Sequence, residues 1–255
     1  EDLARKAVSL MPEGLDRVFF VSGGSEAVES AVKLARQYAL TQGEADFDIS
    51  SHLILSFLRH LSEDAAFETL AQAAPYYDRL LGVGLDSSEL GHPPSKFTRV
   101  FAKAKSLGLK CFAHAGEEGP PAYVYEALDL LHVDRIDHGN RSLEDAALVD
   151  RLVAEEMVLT VCPLSNLKLC VVEDLTRHPL KTMLGLGLRA TVNSDDPSYF
   201  GGYLNENYIQ ITEALDLSHY EIERLVRNGI EAAYLTPERR EALNAELEKV
   251  LSIQI

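Results

Sequence analysis

The sequence predicts an α/β barrel of the TIM type, and three observations predict it. Short apolar or β-branched runs recur along the chain with starts 23 to 30 residues apart, close to the ~30 residues of one strand and its crossover helix. Amphipathic stretches fill the intervals, and alternating strands and helices mean a parallel sheet with helices packed outside it. Every run ends in side chains that can ligate, titrate or hydrogen-bond. A barrel gathers the carboxyl ends of all its strands around one axis, whereas an open doubly wound sheet concentrates such groups at a single switch point. Polar groups after every run favour the barrel.

The first run, 53–58, leads into Arg59 and His60, and an amphipathic stretch at 63–79 reads as its helix. The second, 80–85, leads into Asp86, Ser87, Ser88 and Glu89, with a helix at 96–107 behind it. The third, 109–113, is followed by His114 and Glu117, and the fourth, 135–137, by His138 and a helix at 144–155. The fifth, 158–162, precedes Ser165 and Asn166, and the sixth, 188–193, precedes Asp195 and Asp196. Three helices then end the chain, at 205–217, 219–228 and 237–251.

Composition narrows the function. An apolar content of 46% with 25% charged residues is that of a soluble globular protein. A net charge of −16 leaves no basic stripe to displace counterions from nucleic acid, so a small-molecule partner is expected instead. No apolar run approaches the ~18 residues of a membrane span, and the N-terminus has no signal-peptide pattern. Cys111, Cys162 and Cys170 form no C-x-x-C pair and read as reduced, buried thiols of a cytoplasmic protein. A first residue Glu1 rather than Met suggests a fragment.

The sharpest chemical cluster is His114-Ala115-Gly116-Glu117, then Asp137-His138-Gly139, then Asn193-Ser194-Asp195-Asp196-Pro197. A His at one strand end and an Asp at another can face one central ion, and imidazole nitrogen with carboxylate oxygen suits Zn²⁺. Zinc makes water a nucleophile near neutral pH, and a nearby carboxylic acid can protonate a ring nitrogen as the water attacks. Each residue alone has a plainer reading. His114 could be a core histidine, Glu117 a first-turn carboxylate, Asp195-Asp196-Pro197 an ordinary turn, and Cys162 a small mid-strand core residue. The other histidines read as structural.

In this order, His114 to Glu117, His138-Gly139 and Ser194 to Pro197 resemble the three C-terminal motifs of adenosine deaminases. Gly84-Leu-Asp-Ser-Ser-Glu89, Thr160-Val-Cys-Pro-Leu-Ser-Asn166 and Asn193-Ser-Asp-Asp-Pro-Ser-Tyr-Phe-Gly-Gly202 resemble the bacterial branch that includes adenine deaminases. The resemblance runs over roughly 50–235 without a break, and 44–255 is taken as the barrel portion. It implies a barrel of the metal-dependent hydrolase kind, which hydrolyses a 6-aminopurine to its 6-oxo product and ammonia. It also implies His114 and Asp195 as zinc ligands, Glu117 as proton donor to the purine, and His138 as the group that orients and deprotonates water. Asp196 would hydrogen-bond the purine's imidazole edge, and Ser87 or Ser88 would touch the substrate.

Two features depart from that pattern. The family's first two ligands are a His-x-His pair on the first barrel strand, and these 255 residues contain no such pair. Six strand units also fall short of the eight that close a barrel, so a truncated barrel is expected. Residues 1–43 read as a foreign βα unit, a strand at 17–21, a Gly-rich turn and a helix through Ala39. The string Val18-Phe-Phe-Val-Ser-Gly-Gly-Ser-Glu-Ala-Val28 and its helix resemble class III pyridoxal-phosphate aminotransferases, without that family's Schiff-base lysine region. A chimaera is expected, joined between 39 and 51. The alternative to a working deaminase is an inactive remnant that self-associates, because exposed parallel edges invite pairing with another chain.

Overall fold

Each of the six runs can be covered by apolar side chains on both faces, and that pattern makes buried parallel strands rather than half-wet antiparallel ones. In a computed structural model, which describes residues 51–253, the strands are β1 (Leu53–Leu58), β2 (Leu80–Asp86), β3 (Lys110–Ala115), β4 (Arg135–His138), β5 (Val158–Val161) and β6 (Arg189–Val192). They form one parallel sheet in the order β1-β2-β3-β4-β5-β6. Sequential order with parallel pairing is barrel topology, and each predicted run is a strand. Among the described residues no strand pairs with the outer edge of β1 or of β6. The aminotransferase-like segment at 1–43 lies outside the described residues.

The connecting helices are α1 (Glu63–Gln72), α2 (Thr98–Ser106), α3 (Pro121–Glu126), α4 (Ala146–Ala154), α5 (Pro163–Lys168), α6 (Leu180–Gly185) and α7 (Pro197–Phe200). After them come α8 (Leu204–Leu215), α9 (His219–Ala232) and α10 (Pro237–Leu251). Two expected helices are shorter than the pattern suggested. The stretch at 63–79 is α-helical only to Gln72 and continues as a 3₁₀ segment, Ala74–Arg79, because Pro75 has no N–H to give the ladder. Likewise α2 starts at Thr98, behind a 3₁₀ turn at Pro94–Phe97. Other helix starts have side-chain caps, although α4 begins two residues later than the expected 144. Asp145 accepts from the Ala147 and Leu148 amides at α4, and Ser218 and Glu221 form a capping box at α9. Each such cap stabilises its helix by about 1 kcal/mol.

The core lies between sheet and helices. Phe57 of β1 meets Phe101 of α2 edge-on at 5.9 Å, and Leu152, Leu159, Met183 and Ala190 are fully buried. Burial stabilises each large apolar side chain by about 1.5–3 kcal/mol. Helix α9 packs on β6, where Asn228 donates to the Ala190 carbonyl at 2.8 Å. Just past α9, the Tyr234 carbonyl meets the His52 imidazole at 2.9 Å and the Tyr234 ring meets Phe112 edge-on at 5.8 Å. The chain after the last strand thus returns to the amino end of the first.

Two cysteine expectations need correction. Cys111 and Cys162 are buried, but Cys170 is exposed, because it follows the short helix α5 in a turn rather than facing the core. Cys162 is not mid-strand: β5 ends at Val161, so the thiol stands at the strand's carboxyl end.

Candidate active site

Strand register brings the predicted residues to one rim. Ala115 on β3 pairs with His138 on β4, and Asp137 lies opposite both His114 and Thr160. The His114 and His138 rings are 4.8 Å apart, centroid to centroid, and tilted by 49°. His138 and Asp195 both have left-handed backbones, with φ of 68° and 56°. That conformation costs a non-glycine residue free energy, and such residues cluster where function demands a particular aim.

The corner after β3 is built around a buried carboxylate. Glu89, 2% exposed, accepts from four successive backbone amides, those of Gly116, Glu117, Glu118 and Gly119, at 2.6 to 3.0 Å. A Cβ at 119 would stand 2.5 Å from Glu89 Oε1, so glycine is required there. Beside it the buried Arg59 donates to the His92 and His114 carbonyls at 2.8 and 2.7 Å. Burial lowers the Arg59 pKa against the pull of Glu89. The corner is therefore a charged cluster closed upon backbone, which holds Glu117 and the end of β3 in place.

Glu117 itself is anchored by a chain of amides. Its Oε1 accepts from Asn166 Nδ2 at 3.0 Å and lies 3.3 Å from His138 Nδ1. Asn166 Oδ1 accepts from Asn140 Nδ2 at 2.8 Å and contacts His178 Nε2 at 3.3 Å. The Leu180 amide donates to His178 Nδ1, so the proton of a neutral ring sits on Nε2 and points at Asn166. Burial holds His178 neutral, with its pKa lowered to about 4. Two donors on Oδ1 fix the orientation of the Asn166 amide and aim its Nδ2 at Glu117.

Electrostatics favour a cation on this rim. Burial opposes charge on His114, but Asp86, with Asp137 and Glu117 behind it, outweighs burial and pushes the pKa up to about 10. His114 Nδ1 lies 3.3 Å from Asp86 Oδ1, yet that buried nitrogen has no hydrogen bond of acceptable geometry. Burial should raise Asp137, but Arg135 at 2.8 Å, His114 and the Thr160 hydroxyl at 2.5 Å hold it below the ordinary range.

A cavity of about 730 Å³ is lined by His114, Asp137, His138, Thr160, Cys162 and Asp195, among others. Glu117 and Asp196 are not on its wall: Glu117 lies behind His138, and Asp196 precedes α7. Another cavity, of about 610 Å³, includes Asp134, Val158 and Arg189 at the amino ends of the strands, away from this chemistry. Metal donors converge on the carboxyl-end rim: one ligand atom each from His138, Cys162 and Asp195 lie within 4.8 Å of one another. Imidazole, thiol and carboxylate, with the His114 imidazole beside them, are a donor chemistry that fits zinc.

The family's sequence model for adenosine deaminase matches residues 24–250. The chain belongs to the adenosine deaminase family. That match begins inside the 1–43 stretch whose motif resembles aminotransferases. An adenine deaminase of Rhodospirillum rubrum is 60% identical over 225 residues, covering 88% of this chain and 66% of the relative. One from Sphingopyxis alaskensis is 66% identical over 198 residues, covering 78% of this chain and 58% of the relative. The crystal structure of an adenine deaminase from Arthrobacter aurescens superposes with a TM-score of 0.80 at 48% identity, over 84% of this chain and 66% of that one. An amidohydrolase from Burkhoderia ambifaria with bound zinc gives a TM-score of 0.77 at 30% identity, over 88% of this chain and 61% of that one. The chain spans 58 to 66% of the length of these curated relatives.

Sequence reasoning picked out the rim but missed its supports. The sequence marks Glu89 and Asn166 as polar groups after their strands and as the ends of two motifs of the resemblance, with no role assigned, and His178 as structural. Their roles depend on contacts across 12 to 49 residues of chain, from His178–Asn166 to Asn166–Glu117, and no local pattern encodes such contacts. The signal that could have found Glu89 was the Gly116 and Gly119 pair that frames the turn at 116–119, whose backbone donors need an acceptor.

Proposed function

We propose that this chain carries the site of a zinc-dependent hydrolase that deaminates a 6-aminopurine, adenine in preference to adenosine, with release of ammonia. The observation that carries the reading is the placement of His114, Glu117, His138 and Asp195 at the carboxyl ends of β3, β4 and β6, in the family's order. The relatives named adenine deaminase, at 60 and 66% identity, support adenine as the base.

His114 and Asp195 would hold the ion, whose chemistry is to lower the pKa of a water and polarise it for attack. The chain's own residues do the rest. Glu117 donates a proton to the purine ring nitrogen next to the carbon under attack. With Oε1 occupied by the Asn166 N–H, the proton of a neutral Glu117 belongs on Oε2, so the network selects which oxygen acts as the acid. His138 orients the attacking water and takes its proton. Asp196 accepts from the N–H of the purine's imidazole edge. His138 would pass that proton on to the C6 amine, which leaves as ammonia while oxygen stays on the ring.

A second reading rests on two observations. These 255 residues contain no His-x-His pair, and the six described strands form an open arc. Under it the chain is an inactive remnant that self-associates through the edges of β1 and β6. The cytoplasm suits either reading.

Ammonia release from adenine and from adenosine, with zinc supplied, separates the two. The deaminase reading expects release that Glu117→Ala abolishes. No release from a folded, zinc-supplied chain would favour the remnant, and light scattering would then show whether it self-associates.

A further inference from the structure

We propose that the open side of the arc is a docking surface for a separate polypeptide that contributes two parallel strands with their helices. Among the described residues the outer edges of β1 (Leu53–Leu58) and β6 (Arg189–Val192) have no strand beside them. The unpaired backbone groups of such an edge are a template for another strand. Pairing within the arc is parallel throughout, and eight parallel strands close a barrel of this kind. The complement of a six-strand arc is therefore two parallel strands, apolar on both faces.

The helices beside the break present an apolar face that fits the same occupant. A helix in the outer layer of a parallel sheet buries its apolar stripe on the strands beneath it. Helix α9 packs on β6, yet it fully buries only Leu225 of its fourteen residues, and α10 none of its fifteen. Val226 and Ile230 stand one turn apart on one face of α9 and are half-buried, as are Leu235 and Leu243. These four, with Val192 of β6, line the cavity of about 730 Å³. Its wall also carries Asp137 and Asp195, so imidazole or cationic side chains at the occupant's strand ends would complement it. A second copy fits less well, because each chain has a net charge of −16 and like charge opposes association. Length agrees with the separate polypeptide. The Rhodospirillum rubrum relative is matched over 66% of its length, and the unmatched third exceeds two units at this chain's spacing of 23 to 30 residues.

The inference goes beyond the deaminase reading, and its test reads association and not turnover. The probe is the segment of the Rhodospirillum rubrum adenine deaminase that precedes the matched region, fused to a soluble carrier and co-expressed with the 255-residue chain. Light scattering across the size-exclusion peak should show a one-to-one heterodimer, and amide exchange along α9 should slow within it. Ile230→Glu and Leu243→Glu, each with the circular dichroism of the wild type, should weaken the complex by at least about 10-fold. Glu173→Ala, on an exposed turn away from the cavity wall, should leave it unchanged. No complex with the folded wild-type chain, a complex that survives both variants, or a homodimer that buries the same face of α9 would each overturn the inference.

Discussion

The loops after β3 and β6 each carry a carboxylate of the proposed site, and they are held in opposite ways. At 116–119 every backbone amide is bonded to buried Glu89, and Glu117 is fixed again by Asn166. Beyond β6, Asp195 is exposed, Tyr199 is 79% exposed, and α7 is a single short turn. Among the described residues no side-chain hydrogen bond restrains Asp195 or Asp196. The half of the rim proposed to handle protons is built before any ligand arrives. The half that would grip ion and base is left to be ordered by them, so its binding free energy includes that ordering.

The comparison can be broken at Glu89 with the largest effect. Glu89→Ala leaves four amides without their acceptor and removes the negative charge that faces the buried Arg59, and loss of a buried charge partner costs about 3–5 kcal/mol. Denaturant unfolding should show that loss, and an unchanged midpoint would mean that the corner is not held by this carboxylate. Next comes acid. The folded pKa of His178, about 4, lies below its unfolded value of 6.5, so the unfolded chain takes up a proton first as pH falls. The sign is a loss of stability that starts near pH 6.5 and is complete near pH 4, reaching about 3 kcal/mol. His178→Gln should flatten that part of the stability profile. A wild-type profile level from pH 6.5 to 4 would show that the ring is not buried neutral.

Smaller effects sharpen the contrast. Asn166→Leu removes the donor on Glu117 Oε1, and kcat should fall about 10- to 100-fold with KM nearly unchanged. A change confined to KM would place Asn166 at the purine instead. Asp195→Asn should alter stability by less than about 0.5 kcal/mol, as expected for an exposed, unrestrained side chain, while weakening zinc binding measured by calorimetry. Equal zinc affinity in the variant would remove Asp195 from the donor set.

How much of this was legible in the sequence follows from the range of each interaction. The strands were legible because burial on both faces writes an apolar run, and 53–58 matched Leu53–Leu58 residue for residue. Helix 63–79 overran because amphipathic spacing continued past Pro75, where the missing N–H overrode it. His114, Glu117, His138 and Asp195 were legible because each stands at the end of its strand or follows it by a few residues, where a barrel puts its chemistry. Glu89 was not, because its partners lie in the loop after the next strand, and His178 was not, because it meets Asn166 only when the β5–β6 connection folds back on itself. The cysteines misled in both directions: Cys170 looked like a core thiol and is exposed, while Cys162 looked like filler and stands at the rim.

The contrast between a prebuilt corner and an unlocked one is tested most directly by amide hydrogen exchange at 116–119 and 195–203, with and without zinc. The account predicts strong protection at 116–119 in both samples, and fast exchange at 195–203 that slows when zinc is added. Equal protection of the two loops in the metal-free chain would contradict it.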